Sequence, residues 1–332
     1  MATWRTPIFA AKMSTVTPAC SRSNFIREAD RPHSRMAFSA DQRRASHIDC
    51  MISTRIFGQT GVQTTQLGLG GEGVLRTHDC PKEAAAVIER AIALGIRYFD
   101  TAPAYASSMD YYGATLGTRR RDIFLASKTA SRSRDGSLQI LEDSLRRLRT
   151  DHLDLWQLHD LRTQTDLKSI FARDGAIHAL DEARSAGLIR FSGLTGHHRP
   201  EILLQAMSEY PFDSVLIPLN PADGARLPFA AVLTEARRRG MAVIAMKVLS
   251  GGLLIQSGAC SARDALTYVW SLPGVSVAII GCRTPEEVEE NVYTAEAFQT
   301  MPETNQRELE ARCSFGEFTP YKGNRLAPLF PT

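Results

Sequence analysis

The sequence predicts a single-domain α/β protein of the (β/α)8, or TIM, barrel type, and three observations predict it. Short apolar strands alternate with amphipathic helices eight times between Thr54 and Phe298. The strands have few polar positions, as expected of a parallel sheet covered by helices. The glycine turn "GLGGEG" (68–73) is spaced G-x-G-G-x-G, not the G-x-G-x-x-G of an open, doubly wound dinucleotide-binding sheet. Eight units in this length suit closure into a barrel.

"TQLGLGG" (64–71) reads as a strand running into a glycine turn. In "PKEAAAVIERAIALG", Ala85, Ile88, Ile92 and Gly95 recur at helical spacing, with Pro81 in the first turn and a glycine stop. "IRYFD" (96–100) and "DIFLASK" (122–128) are strands. "SLQILEDSLRRLRT" is a helix with Leu138, Leu141, Leu145 and Leu148 on one face and arginines opposite. The alternation continues through strand "HLDLWQLH" (152–159), a helix ending at Gly187, strand "LIRFSGLT" (188–195) and a helix from Pro200 to Tyr210. Strand "DSVLIPL", helix "FAAVLTEARRRG" and strand "MAVIAMKV" follow. Helix "ARDALTYVWSL", strand "VSVAII" and helix "TPEEVEENVYTAEAF" close the series.

The expected organisation is an N-terminal extension over 1–53, the barrel over 54–300 and a C-terminal tail or loop over the barrel mouth at 301–332. The extension lacks apolar periodicity, is rich in Arg and Ser, and has no acid before Glu28. That composition resembles an organelle transit peptide. The expectation is a disordered extension, or a start placed too early before Met51, with a transit peptide as the alternative. A cytoplasmic location is the expectation, an organelle the alternative.

At 332 residues, 43% hydrophobic and 23% charged, the chain has a globular composition. A net charge of +3 with no dense basic block argues against a nucleic-acid partner. No run approaches the roughly 18 apolar residues of a membrane span. The six cysteines are scattered without a C-x-x-C pair, which gives neither a zinc site nor a disulfide framework. His197 and His198 in "GHH" have no third metal ligand at an obvious spacing.

Barrel active sites lie at the C-terminal ends of the strands. Asp100, Lys128 and His159 end three consecutive predicted strands, and Tyr105 follows Asp100 in its loop. Taken singly, a turn cap, a solvated lysine, a structural histidine and a packed tyrosine explain them. Four together at one mouth point to chemistry.

On these residues the sequence resembles the aldo-keto reductases. "GIRYFDTAPAY" matches the family's D-T-A-x-x-Y strand, "LASKT" its lysine strand, and "LEDSLRRLRTDHLDLWQLH" the helix and strand leading to its histidine. The resemblance runs from about Thr54 to Phe298. It implies a tetrad of Asp100, Tyr105, Lys128 and His159 that reduces an aldehyde, ketone or sugar carbonyl, or runs the reverse oxidation. A free tyrosine has a pKa of about 10, and a neighbouring ammonium is expected to lower it. Asp100 would hold Lys128 charged and aimed at Tyr105, while His159 polarises the carbonyl.

The resemblance also implies a nicotinamide coenzyme, NADP(H) rather than NAD(H). "IIGCRTPEEVEEN" (279–291) aligns with the adenosine-binding segment, Glu290 and Asn291 being the adenine pair. Gly281 and Glu287 replace the lysine and arginine that many members direct at the 2′-phosphate. Arg283 would compensate, and Glu287 also reads as the end of a capping box from Thr284. At the nicotinamide end, Thr195 and Gly196 replace a Ser-Asn pair, Leu216 replaces a glutamine, Asn220 is retained and Met246 replaces a stacking aromatic. Lys247, Leu249 and Gly251 would line the pyrophosphate stretch. Pro103, Tyr111, Tyr112 and Trp156, and Phe318, Tyr321, Leu329 and Phe330 of the tail, are candidate substrate-pocket residues. The alternative function is a cofactor-binding regulatory or scaffold barrel with little turnover.

Overall fold

The computed structural model describes residues 52–226 and 228–314. Apart from Ile52 and Ser53, the expected extension lies outside the described residues, as do the tail positions Phe318, Tyr321, Leu329 and Phe330. Two short strands, β1 (Thr54–Ile56) and β2 (Gln63–Thr65), pair antiparallel as a hairpin. Eight strands then form the barrel: β3 (Leu67–Gly73), β4 (Tyr98–Asp100), β5 (Phe124–Thr129), β6 (Leu153–Leu158), β7 (Ile189–Thr195), β8 (Ser214–Pro218), β9 (Ala242–Met246) and β10 (Val275–Cys282). Each pairs in parallel with the next, and β10 closes on β3. The predicted (β/α)8 barrel is the observed fold.

The helices are α1 (Pro81–Ala93), α2 (Ser108–Thr115), α3 (Arg134–Leu148), α4 (Gln164–Ile170), α5 (Ala176–Ser185), α6 (Pro200–Glu209), α7 (Ala230–Arg238), α8 (Leu253–Gln256), α9 (Ala262–Ser271), α10 (Pro285–Glu296) and α11 (Glu303–Cys313). Local chemistry sets their ends. Pro81 opens α1 and Gly95 leaves it at φ 83°, where glycine carries no Cβ penalty. Ser133 accepts the Gly136 N–H at the start of α3. Thr163 and Ser261 form capping boxes with Asp166 and Asp264, each satisfying donors the helix leaves unbonded. The buried stripe of α1 is Ala84, Val87, Ile88 and Ala91, one residue round from the expected one. No helix among the described residues is long and apolar enough to cross a membrane.

Within the expected tail or loop of 301–332, Glu303–Cys313 forms helix α11. Its first turn follows a bond from the Met301 N–H to the Ser271 hydroxyl, and the Tyr268 hydroxyl donates to Glu310 farther along. Only Leu309 and Cys313 of this helix are buried, too few to mark a helical stripe in the sequence.

Side chains alternate across each strand, so one parity fills the barrel and the other packs on the helices. At the base the interior is aromatic. Phe57, carried by the β1–β2 hairpin, has its ring centroid 4.8 Å from Phe124 and 6.0 Å from Tyr98, and Phe124 lies 6.1 Å from Phe191. Ala126, Leu155, Leu216, Ile244 and Val277 join this inner cluster. Two residues beyond Tyr98, Ala126 and Leu155, on the same parity, stand Asp100, Lys128 and Gln157. The aromatic base thereby dictates which strand-end residues face the mouth.

Candidate active site

The alternation delivers an ion pair to the top of the barrel. The Lys128 ammonium, at 0% exposure, bonds the Asp100 carboxylate and also the Thr101 carbonyl at 2.9 Å. Gln157 completes this floor, its Nε2 donating to Asp100 at 3.4 Å. Burial drives both partners toward neutrality, Asp100 up and Lys128 down, and the attraction between them opposes each shift. Such a pair costs more desolvation than most ion pairs recover. A side chain placed there for packing alone would be apolar.

Tyr105 sits above this pair in a tight loop. Its N–H donates to the Ala102 carbonyl at 3.0 Å and its carbonyl accepts from the Ser108 N–H at 2.9 Å. Gly71 permits the seat: a Cβ there would lie 2.8 Å from the Tyr105 ring and 2.9 Å from the Asp100 carbonyl oxygen. The Lys128 ammonium lies 4.9 Å from the ring centroid and the Arg76 guanidinium 5.2 Å. His159 meets the ring edge-on at 6.1 Å and 87°, its own N–H anchored on the Thr129 carbonyl at 2.8 Å. The four expected residues therefore converge on one mouth.

One electrostatic expectation is corrected. The Tyr105 hydroxyl is held well above its ordinary range, not lowered, by burial and then by the carboxylates of Asp100 and Glu72. Lys128 does not offset this because Asp100 cancels its field. His159 is pushed down to about 3 by burial and by the positive charges of Lys128 and His197, so its imidazole is neutral near pH 7.

Glu72, at the end of β3, is a site residue the sequence reading missed. Its Oε1 accepts from Lys247 at 2.6 Å and from Arg76 at 3.4 Å. These cations hold its carboxyl below the usual range against the effect of burial. Glu72 shares the inner parity of Gly68, whose absent Cβ would touch Tyr98 and Val277 inside the barrel. Gln157 was equally readable, two residues before His159.

The coenzyme candidates divide. Lys247 reaches across the mouth to Glu72. The Thr195 hydroxyl is buried and taken by the Asp160 N–H at 2.8 Å. Asn220 donates to Asp223 at 2.9 Å and accepts from the Ala222 N–H at 3.0 Å, so the expected carboxamide contacts are committed within the protein. Leu216 and Met246 face the interior apolar cluster. Glu287 accepts the Arg283 N–H at 2.7 Å, while its own N–H bonds Thr284; its carboxylate caps α10 one residue earlier than a strict capping box would. Asn291 is buried on the Cys282 sulfur and Glu290 is exposed. Gly281 has no room for the lysine seen elsewhere, since a Cβ there would lie 2.6 Å from the Glu72 backbone. Leu249 begins a tight loop in which Ser250, Gly251 and Gly252 all take positive φ. Among the described residues, the Ser250 hydroxyl is buried without a partner, and a Cβ on Gly251 would meet nothing within 4 Å.

Three of the four candidate pocket residues that are described are structural. Trp156 and Tyr112 are fully buried, and Trp156 has the outward parity. The Tyr111 hydroxyl accepts the Cys80 N–H and donates to the Thr77 carbonyl. Pro103 is half-buried in the Tyr105 loop.

Comparison with known proteins agrees with this geometry. A profile of the aldo/keto reductase family matches residues 66–264. The oxidoreductase YqkF of Bacillus subtilis (strain 168) is 26% identical over 319 residues, covering 82% of this chain and 99% of its own. L-galactose dehydrogenase of Arabidopsis thaliana is 25% identical, covering 75% of this chain and 90% of its own. The holo form of aldo-keto reductase AKR11C1 from Bacillus halodurans shares the fold with a TM-score of 0.65 at 22% identity, over 79% of this chain and 96% of that one. With the barrel, the strand-end tetrad and the matched profile covering most of the barrel, this oxidoreductase chain belongs to the aldo/keto reductase family.

Proposed function

We propose that the protein reduces an aldehyde or ketone to an alcohol, or runs the reverse oxidation, with Tyr105 as the general acid/base and NADP(H) as the coenzyme. The observation that carries this reading is the buried Asp100–Lys128 pair beneath the Tyr105 ring, with a neutral His159 at its edge. The substrate oxygen accepts hydrogen bonds from the His159 imidazole and the Tyr105 hydroxyl. Because Tyr105 keeps its proton at neutral pH, it is ready to donate it to the oxygen as negative charge develops there. The phenolate it leaves is opposed by the Asp100 and Glu72 carboxylates and favoured by the Arg76 guanidinium over the ring. Differential stabilisation of the charge developing on the substrate oxygen is what lowers the barrier.

The residues present fit the diphosphate end of a nicotinamide coenzyme. The orphan Ser250 hydroxyl and the open, left-handed Gly251 loop would hold the diphosphate, with Lys247 beside them. The N-terminus of α10 with exposed Arg283 would take the 2′-phosphate. When bound, the coenzyme supplies or accepts the hydride; the protein handles the proton.

A Tyr105→Phe variant tests the reading. Turnover with NADPH on a panel of aldehydes, ketones and aldoses should fall by roughly two to four orders of magnitude, the share a positioned acid/base supplies. Coenzyme affinity, measured by fluorescence quenching, should stay within a few-fold. Near-normal turnover in this variant would remove the assignment. Coenzyme binding by the wild type without turnover on the panel would point instead to a regulatory or scaffold barrel.

A further inference from the structure

Above the tetrad stands a second carboxylate–imidazole pair that the proposed chemistry does not use. Asp160 directly follows His159, in the left-handed region at φ 54°, a conformation a non-glycine residue adopts at a cost. Its Oδ1 is 2.8 Å from Nδ1 of His197, which comes from the loop after β7, and its Oδ2 takes Arg162 at 2.6 Å. These partners hold the Asp160 carboxyl well below the usual range.

The bland explanation is that His197 staples the loop after β6 to the loop after β7. Those loops are already joined without it. The Asp160 N–H bonds the Thr195 hydroxyl at 2.8 Å and the Leu161 N–H bonds the Thr195 carbonyl at 2.8 Å. On the other side, Arg132 bonds the Asp160 carbonyl at 2.9 Å. With Nδ1 committed to Asp160, the imidazole has a fixed orientation, and among the described residues nothing hydrogen-bonds its Nε2. His197 follows β7 on the same rim, near enough to His159 on the β6 side and to Glu72 on the β3 side to act on both electrostatically. Lys128, Lys247 and Arg132 at the mouth are spent within the protein, on Asp100, Glu72 and Asp166.

We infer that His197, oriented by Asp160, contacts substrate and selects a carbonyl compound bearing a hydroxyl group on a neighbouring carbon. Nε2 of His197 bonds that hydroxyl while His159 and Tyr105 hold the carbonyl oxygen. This rests on the proposed reduction at the same mouth. A site built to hydrogen-bond a substrate hydroxyl discriminates strongly against the analogue that lacks it, because its polar group is then left unpaired.

Glyceraldehyde and propanal have the same carbon chain and differ in their hydroxyls, which makes them the probes. His197→Phe keeps a ring but removes the hydrogen bond. It should lower kcat/KM for glyceraldehyde at least tenfold more than for propanal, with the loss in KM rather than kcat. His197→Gln, which restores a polar tip at similar reach, should recover most of that ratio. An unchanged glyceraldehyde-to-propanal ratio in His197→Phe, or equal losses on both substrates with a lowered Tm, would overturn the inference and leave the reductase reading standing. A wild-type protein inert toward every carbonyl probe would overturn both.

Discussion

The two ends of the barrel interior are built on the same strands and solve opposite problems. At the base, Tyr98, Phe124 and Phe191 close on Phe57 from the hairpin. At the mouth, two to four residues farther along, the same inner parity carries Asp100, Lys128 and Gln157. Each aromatic at the base stabilises by burial, about 1.5–3 kcal/mol for a Phe side chain. Each charge at the mouth costs desolvation and is tolerated through a specific partner. Buried Gln157 Oε1 and Ser250 Oγ find no partner among the described residues. The barrel is thus a packed plug below a strained polar layer, and the stability gained at one end sustains the chemistry at the other.

Replacing Lys128 breaks that contrast most severely. Lys128→Met strands the Asp100 carboxylate in a dry site and should cost about 3–5 kcal/mol, read as a lowered urea midpoint, along with loss of carbonyl reduction. The double variant Asp100→Leu/Lys128→Met should recover most of that stability, since an apolar pair of similar volume is often neutral or better there, while remaining inactive. A double variant no more stable than the single would show that the mouth is not the energetic liability described.

At the base the expectation is reversed. Phe57→Ala removes the plug and should cost about 3 kcal/mol, the lower end for such truncations because the hairpin can settle inward. Coenzyme affinity and kcat of the folded fraction should change by less than twofold. A large fall in kcat at constant fold would mean that the hairpin holds the mouth in place as well as closing the base.

The same contrast explains what the sequence made legible. Barrel strands and tetrad residues announce themselves, because period-two burial of Tyr98, Phe124 and Leu155 fixes the facing of Asp100, Lys128 and His159. Glu72 was harder: Gly68 and Gly70 precede it on the inner face, and a residue without a side chain gives no apolar marker of orientation. The fates of Thr195 and Asn220 were not legible, because their partners Asp160 and Asp223 sit in loops whose positive φ or tight turns carry no periodicity. The direction of the Tyr105 shift was misread for another reason. A lysine near a phenol lowers its pKa only when that charge is not already matched, and the sequence does not show that Asp100 matches it.

That misreading leads to the smallest effect, and it concerns pH. The proposed reduction needs Tyr105 protonated and His159 neutral. The Tyr105 hydroxyl titrates above its ordinary range and is therefore protonated below it; His159 titrates at about 3 and is neutral above it. Between roughly pH 5 and 9, an interval both groups leave clear, kcat for reduction should vary by less than a factor of two, whereas oxidation, which needs the phenolate as its base, should rise toward tenfold per pH unit. Glu72→Gln sharpens the test, since removing one of the carboxylates that raise the Tyr105 value should move the alkaline fall of reduction to lower pH. A reduction profile with a midpoint near pH 7 in the wild type would place a charge beside Tyr105 that this arrangement of Asp100, Lys128 and Glu72 does not contain.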